Sequence, residues 1–175
     1  MNRPIHSETP LLENAIINQR LGKRILLKMD CYQPSGSFKL RGIGYRCQQA
    51  VAEGKTHLVS SSGGNAGYSA AYAGRMLGVS VTVVVPENTP HHARERILGE
   101  GAELIVHGAV WDEANALALA LVKERHAAFI HPFDHPQIWE GHQSLIAESA
   151  QQTRLKPDVV VLSVGGGGLL CGVAV

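Results

Sequence analysis

The chain has 175 residues, of which 45% are hydrophobic, 18% charged and 5% aromatic, and its formal net charge is +1. This composition is typical of a globular protein with one full core, and it argues against the basic surface and stacking aromatics of a nucleic-acid-binding protein. Its apolar runs, such as Val81–Val85 and Val159–Leu162, are too short to span a bilayer. Three cysteines without a CxxC pair favour a reduced, cytoplasmic protein.

Helices and strands are predicted to alternate along most of the chain. A first helix runs from about Lys39 toward Gln49. Short strands are predicted at His57–Ser60, Val81–Val85, Leu104–His107, Ala128–His131 and Val159–Val164. The intervening helices are predicted at about Asn65–Leu77, from Thr89 or Pro90 to Leu98, from Asp112 onward, and at Ile138–Gln151. This pattern predicts an α/β fold with an open, twisted parallel sheet, helices on both faces, and ligands beyond the carboxyl ends of the strands.

The first chemical motif is PSGSFKLRG, which contains Lys39. Ser35 and Ser37 are candidate N-caps, and they would place Lys39 in the first turn of its helix. A cation there is unfavourable because the helix dipole is positive at that end, and such local conflicts tend to mark functional sites. The same field and partial burial would lower the pKa of Lys39 and provide the neutral amine that imine formation needs. Taken alone, a solvated surface lysine is the more ordinary interpretation.

The second motif, SSSGGNAG, leads from a strand end into a helix start. Successive backbone N–H groups without a Cβ nearby form an anion site suited to a carboxylate, and Ser62 and Asn65 add side-chain donors. The alternative is a glycine-rich turn that binds nothing.

The third motif is Gly165–Gly168, four glycines in a row after an apolar run. Each glycine costs about 1 kcal/mol of backbone entropy relative to alanine, so folding alone does not favour the run. A phosphate bound by their N–H groups would account for it. The GxxxxGK[ST] phosphate loop is absent, and the run lacks the context of a dinucleotide fingerprint.

Together the motifs provide an amine nucleophile, a carboxylate site and a phosphate site, the combination that holds an amino acid on pyridoxal phosphate. The strings PSGSFKLRG, SSGGNAG and SVGGGGLLCGV, in this order and spacing, resemble the fold-type II pyridoxal-phosphate enzymes. The nearest resemblance is to the L-serine dehydratase/L-threonine deaminase group, the serine ammonia-lyases. SETPL at Ser7–Leu11 and HPFDHPQIWEGHQ at His131–Gln143 resemble the same group, so the likeness covers essentially the whole chain. It implies a fold like that of the tryptophan synthase β subunit.

The resemblance also implies residue roles. Lys39 would hold pyridoxal 5'-phosphate as a Schiff base and abstract the Cα proton, and Phe38 would lie against the cofactor ring. Asn65 would contact the cofactor 3′-oxygen. The residues implied for the substrate carboxylate are Ser62, Gly63, Asn65 and Ala66, and those for the cofactor phosphate are Gly165, Gly166, Gly167, Gly168 and Leu169. An amino-acid substrate, L-serine and also L-threonine, would lose water to give an enamine, whose hydrolysis releases ammonia and pyruvate or 2-oxobutanoate.

Members of this family extend well beyond the glycine run, so the chain is expected to be an N-terminal fragment that is inactive, or nearly so, by itself. Residues 1–37 and 136–175 would belong to an incomplete large domain, and residues 38–135 would form a small α/β domain. The strand Val159–Val164 would then lack neighbours on one side, an exposed edge that favours aggregation. The full-length form is expected to be a homodimer, with no membrane or nucleic-acid partner.

Several alternatives stay open at this point. Threonine ammonia-lyase, serine racemase and β-replacement enzymes such as cysteine synthase share the family, and a remnant without turnover or one half of a complementing pair is a different class. No metal site is expected, because Pro132 and Pro136 keep His131 and His135 off a shared helix face. Arg41 is either a solvated helix residue or an orienting group near the cofactor. Cys171 is expected to pack inside the helix that follows the glycines.

Overall fold

The computed structural model describes residues 3–174, which form an α/β fold. Its strands are β1 (Leu11–Glu13), β2 (Leu26–Lys28), β3 (His57–Ser60), β4 (Ser80–Val85), β5 (Glu103–Val106) and β6 (Ala128–Ile130). Its helices are α1 (Ala15–Leu21), α2 (Lys39–Ala52), α3 (Asn65–Leu77), α4 (His91–Gly99), α5 (Trp111–Glu124), α6 (Pro136–Gln152) and α7 (Gly168–Val173). The predicted elements from Lys39 to the end of α6 are confirmed, with bounds shifted by a few residues at most.

A parallel sheet of four strands, in the order β5-β4-β3-β6, lies at the centre of the fold. Ser60 on β3 is in register with Val83 on β4 and with Ile130 on β6. Because all four strands run in the same direction, the connections that follow them leave from one edge of the sheet. This edge, called the carboxyl edge below, is where open α/β sheets bind ligands.

Side chains of the central strands alternate between two buried clusters. Leu58, Val83 and Val85 pack on one face, with residues of α2, α3, α4 and α6, whereas Val59 and Val84 pack on the other face with α5. Successive residues of a strand point to opposite faces, so this alternation places helices on both sides of the sheet. The predicted fold class is confirmed.

The chain before α2 adds a small antiparallel hairpin, in which β1 pairs with β2. Helix α1 connects the two strands. It begins after Asn14, whose side-chain oxygen accepts a hydrogen bond from the Ile17 N–H at 2.9 Å, and it ends at Gly22 with φ of 59°. Both are standard helix-boundary signals, but a segment of seven residues is too short to show helical periodicity, and no helix was predicted here.

The predicted strand at Val159–Val164 is wrong. No strand within residues 3–174 pairs with this segment, which lies between α6 and α7 without regular structure. Val159 and Val161 are 76% and 91% exposed. A strand is stabilised by backbone hydrogen bonds to a neighbour, and an apolar β-branched run without that neighbour does not form one. Nor is any helix of the described chain long and apolar enough to cross a membrane.

Candidate functional site

Lys39 is the first residue of α2, and its side chain is half-buried near the carboxyl edge. Its amine donates a hydrogen bond to the carbonyl oxygen of Pro132 at 2.7 Å, in the connection that follows β6. Burial lowers the pKa of Lys39 from the usual 10.5, because a desolvated ammonium is unfavourable. The Phe38 ring centroid lies 5.3 Å from the same nitrogen. A lysine in this state presents more of the neutral amine that attacks aldehydes.

Ser35 and Ser37 do not cap α2, contrary to the prediction. The N-cap is Phe38, which has helical backbone angles and makes no side-chain cap bond. Side-chain capping requires an extended N-cap residue, and the serines precede that position. Ser35 instead shares a buried hydrogen bond with Ser69 of α3, with 3.0 Å between the hydroxyl oxygens. Ser37 Oγ is buried and has no hydrogen-bond partner among the described residues.

The SSSGGNAG segment, called the glycine loop below, connects β3 to α3 as predicted. Ser62 Oγ accepts a hydrogen bond from the Gly64 N–H at 3.3 Å. A Cβ on Gly67 would overlap the carbonyl oxygen of Ser62, and one on Gly63 would lie 2.6 Å from Thr89 Cγ2. These two positions therefore require glycine for packing.

The four residues Gly165–Gly168, called the glycine turn below, lie against Phe133. A Cβ on Gly166 would overlap the Phe133 ring, and one on Gly168 would lie 2.6 Å from the Phe133 carbonyl oxygen. Gly167 has φ of 83°, a conformation that favours glycine. Gly165 has no atom within 4 Å of the place where a Cβ would stand. Packing does not explain this glycine, and the space beside it can admit a ligand.

The connection after β6 brings the first and third motifs together. The Lys39 amine binds Pro132, and the next residue, Phe133, contacts the glycine turn. The glycine loop follows β3, which neighbours β6 in the sheet, so it leaves the same edge. Within residues 3–174, however, no hydrogen bond joins Lys39 to this loop. Of the remaining predicted site residues, Ala66 is buried, Leu169 is half-buried and Asn65 is exposed.

Arg41 is fully buried, so its interpretation as a solvated residue is wrong. Its guanidinium donates two hydrogen bonds to Asp30, both 2.8 Å long, and two to Glu148, 2.7 and 2.8 Å long. Thr9 Oγ1 donates to Asp30 at 2.7 Å, and Lys28 Nζ lies 2.8 Å from Glu148. A buried guanidinium without partners would strongly destabilise the fold, and these two carboxylates provide the partners that Arg41 needs. This ion cluster links α2, through Arg41, to α6 and to the segment that precedes α2.

The ion cluster around Arg41 also changes the acidity of its carboxylates. Burial raises the pKa of Glu148, but hydrogen bonds from Arg41 and Lys28 outweigh it and lower that pKa to about 2. Burial likewise opposes ionisation of Asp30, and hydrogen bonds from Arg41 and Thr9 bring its pKa below the usual value. Both carboxylates are therefore ionised at neutral pH, as the pairing requires.

His142, on α6, is a buried residue of this region that sequence reasoning missed. It is fully buried, and among the described residues neither ring nitrogen has a hydrogen-bond partner. Its ring packs on Phe38, with the centroids 5.3 Å apart. Burial, together with the charges of Lys39 and Arg41, lowers the pKa of His142 to about 3, so the ring is neutral. The sequence carries only a weak signal for a functional role of His142, because a single histidine on an apolar helix face is ordinarily a core residue.

The other histidines and the cysteines do not form a site. Residues 3–174 contain no group of three or more His, Cys, Asp or Glu side chains that could hold a metal ion. His131 Nδ1 accepts a hydrogen bond from the Asp134 N–H at 2.7 Å, and His135 Nδ1 accepts one from the Gln137 N–H at 3.2 Å. Cys171 lies on α7 as predicted, but it is exposed rather than packed.

The parallel sheet and its carboxyl edge define the class of open α/β folds, which bind ligands where the strand connections leave the sheet. Residues 3–175 match the family described as "Pyridoxal-phosphate dependent enzyme", and the chain belongs to that family. The predicted family and its cofactor, pyridoxal 5'-phosphate, are thereby confirmed.

Individual relatives agree with this assignment. The chain is 52% identical over 170 residues to a human serine dehydratase-like protein, covering 97% of this chain and 52% of the relative. It is 50% identical over 171 residues to human L-serine dehydratase/L-threonine deaminase, with 97% and 52% covered. The chain therefore spans about half the length of the curated relatives it matches.

Solved structures show the same fold. A fungal L-serine ammonia-lyase from Rhizomucor miehei superimposes with a TM-score of 0.92 at 37% identity, covering 98% of this chain and 55% of that one. A maize serine racemase also gives a TM-score of 0.92, at 26% identity, with 98% and 52% covered.

Proposed function

We propose that this chain carries the amine and the phosphate site of a pyridoxal-phosphate-dependent L-serine ammonia-lyase that also accepts L-threonine. One observation carries the proposal: the half-buried amine of Lys39 binds Pro132, and the adjacent Phe133 contacts the glycine turn. A single small molecule with an aldehyde and a phosphate can therefore reach both motifs. Relatives described as serine dehydratase-like and as L-serine ammonia-lyase support the choice of reaction.

The residues present fit this cofactor. The lowered pKa of Lys39 suits an amine that must react with an aldehyde. The open space beside Gly165, where any other residue would place a Cβ, suits a group that approaches the backbone closely. When bound, pyridoxal phosphate supplies an electron sink that stabilises negative charge on the substrate Cα.

The residues of the chain have the following proposed roles. Lys39 holds the cofactor through Nζ and, once the substrate amine has taken its place, removes the Cα proton. Phe38 covers one side of the cofactor ring. Asn65 contacts the 3′-oxygen. The carboxylate of the substrate is held by Ser62, Gly63, Asn65 and Ala66, and the phosphate by Gly165, Gly166, Gly167, Gly168 and Leu169. The substrate loses its Cα proton and β-hydroxyl, and hydrolysis then gives ammonia and pyruvate, or 2-oxobutanoate from L-threonine.

We also propose the domain division in which residues 38–135 form a small domain and residues 1–37 and 136–175 belong to a large one. Two observations support it: the four-stranded parallel sheet lies wholly between His57 and Ile130, and the β1–β2 hairpin is a separate sheet. A homodimeric full-length form and a cytoplasmic location are proposed by resemblance alone.

The cofactor site is tested by trapping. Pyridoxal 5'-phosphate is added to the chain, the Schiff-base absorbance is recorded, and borohydride reduction followed by peptide mass mapping locates the adduct. We expect the adduct on Lys39 and its loss in Lys39→Ala. The matched control is Lys55→Ala, since Lys55 also donates to a backbone carbonyl, that of His126, at 3.0 Å. An adduct that persists in Lys39→Ala would refute the site.

The reaction is tested separately, by measuring keto acid from L-serine and L-threonine with this chain and with one extended to the length of its relatives. Cofactor binding without keto acid in the extended chain would refute the lyase but not the cofactor site.

Serine racemase is the second candidate, favoured by the superposition on the maize enzyme. Racemisation removes and returns the Cα proton while the hydroxyl stays in place. D-serine without keto acid, measured by chiral chromatography in the same assay, would select it.

A further inference from the structure

His142 lies between two helices that approach it through glycines. Gly42 faces it from α2, and a Cβ there would stand 2.7 Å from His142 Nε2. Gly172 faces it from α7, and a Cβ there would stand 2.6 Å from His142 Cβ. No side chain larger than hydrogen fits at either contact without movement, and the backbone of α6 is equally close, since Ile138 O would lie 2.5 Å from a Cβ on Gly42 and Trp139 O 2.5 Å from one on Gly172. Helix α6 therefore packs closely on both helices, and the His142 ring fills the space between α6 and the start of α2.

These two helices carry the two ends of the proposed site. Helix α2 begins with Lys39, whose amine would bind the aldehyde, and α7 begins at Gly168, the last residue of the glycine turn. The His142 ring also packs on Phe38, the residue before the amine-bearing lysine. The fully buried histidine therefore packs on the start of α2 with its ring and on α7 with its Cβ.

Ordinary packing does not account for a histidine at this position. Both ring nitrogens are buried without partners in the described part of the chain, and a buried polar atom without a hydrogen bond destabilises a fold. An apolar side chain of similar size would fill the space without that penalty. Local conflicts of this kind are expected at functional sites.

We propose that His142 is a positioning residue that sets the distance between the Lys39 amine and the glycine turn. The aldehyde and the phosphate of one cofactor are separated by a rigid ring, so the two protein groups must be held within about 0.5 Å of the matching separation. This inference rests on the proposed function, because it assumes that one molecule spans both motifs.

The placement of the Lys39 amine relative to the glycine turn is tested by comparing the affinities of two aldehydes. Pyridoxal 5'-phosphate engages both groups, whereas pyridoxal lacks the phosphate and engages the amine alone. The ratio of their dissociation constants for Schiff-base formation at Lys39 reports how well the glycine turn is placed relative to the amine. General loosening of the fold would weaken both ligands alike and leave this ratio unchanged.

Two variants disturb the spacing in opposite senses. His142→Ala removes the ring that packs on Phe38 and Gly42, and Gly172→Ala adds a methyl group against the Trp139 carbonyl oxygen that forces α7 away from α6. We expect each to lower the preference for pyridoxal 5'-phosphate over pyridoxal by about tenfold or more, since misplacement by 1 Å costs that much at a well-formed site. His142→Gln, which keeps most of the volume, should retain the ratio to within about twofold of wild type.

The control is Leu121→Ala, which removes a buried side chain of α5 on the opposite face of the sheet and should leave the ratio unchanged. If His142→Ala does not fold, Gly172→Ala and His142→Gln decide the question. An unchanged ratio in His142→Ala or in Gly172→Ala, or the same loss in Leu121→Ala, would overturn the role of His142 and leave the proposed function standing. A wild-type chain that binds both aldehydes equally would overturn both.

Discussion

The amine of Lys39 donates to the Pro132 carbonyl oxygen over 2.7 Å, across the junction between α2 and the connection after β6. This bond keeps a reactive nitrogen half-buried and aimed at the carboxyl edge. Burial favours the neutral amine and so makes the protonated form of Lys39 unfavourable in the folded state. Lys39 is therefore expected to destabilise the fold wherever it is protonated.

The variant Lys39→Met should be more stable than wild type at pH 7, by about 0.5 to 1 kcal/mol. The folded pKa of Lys39 lies below the unfolded value of 10.5, so the unfolded chain binds more protons between those two values. Wild-type stability should therefore rise with pH across that window, and the advantage of the variant should shrink. Urea unfolding from pH 7 to 10.5 measures this, and a variant no more stable than wild type at pH 7 would contradict it.

The variant Glu148→Gln should lose about 3 kcal/mol of stability near pH 7, because it leaves the buried guanidinium of Arg41 with one carboxylate fewer. The folded pKa of Glu148 is about 2, below its usual 4.5. The stabilisation is thus complete above pH 4.5 and is lost as the pH falls toward 2, where wild type and variant should converge. The exposed Glu140→Gln is the control and should change stability by less than about 0.5 kcal/mol at all pH values.

Two glycines of one loop should respond differently to alanine. A Cβ on Gly67 would overlap the Ser62 carbonyl, so Gly67→Ala should cost about 2 to 3 kcal/mol. A Cβ on Gly64 would meet only Ser62 Oγ, at 3.8 Å, so Gly64→Ala should fall within about 0.5 kcal/mol of wild type. Thermal unfolding of both variants measures the difference, and equal losses would show that the loop is not packed as described.

The irregular valine segment should promote self-association. Val161 is 91% exposed, so Val161→Lys should reduce concentration-dependent light scattering and leave the free energy of unfolding within about 0.5 kcal/mol of wild type. Ala174→Lys, at another exposed position, is the control for added charge. The same reduction with the control would attribute the effect to net charge rather than to the valines.

The central fold could be predicted because its signals are local. The apolar run at β4 and the one-sided helix α5 each fix an element without knowledge of distant residues. The segment Val159–Val164 has an equally strong strand pattern, but a strand also needs a neighbour, and local pattern does not show whether one is present. The prediction failed there for that reason.

The candidate site could be proposed from the sequence only in part, for similar reasons. Lys39 and the glycine clusters carry signals in their own residue types. The Pro132 carbonyl, however, is a backbone group, and any residue could have provided it. Arg41 is paired with Glu148 of α6, and His142 of α6 packs on Phe38 and Gly42, so both environments join segments about 100 residues apart and depend on tertiary packing. Nothing in the neighbourhood of either residue distinguishes a buried from a solvated side chain.

Positions 39 and 41 on α2 are about 200° apart around the helix axis, at 3.6 residues per turn. The ion pairs of the Arg41 guanidinium on one side of the helix therefore fix the direction of the Lys39 amine on the other side. Inserting or deleting one residue between them would rotate the amine by about 100° around the helix axis, whereas a substitution at an exposed position of the helix keeps this angle. The number of residues between Lys39 and Arg41 is thus more tightly constrained by geometry than the identity of the residue between them.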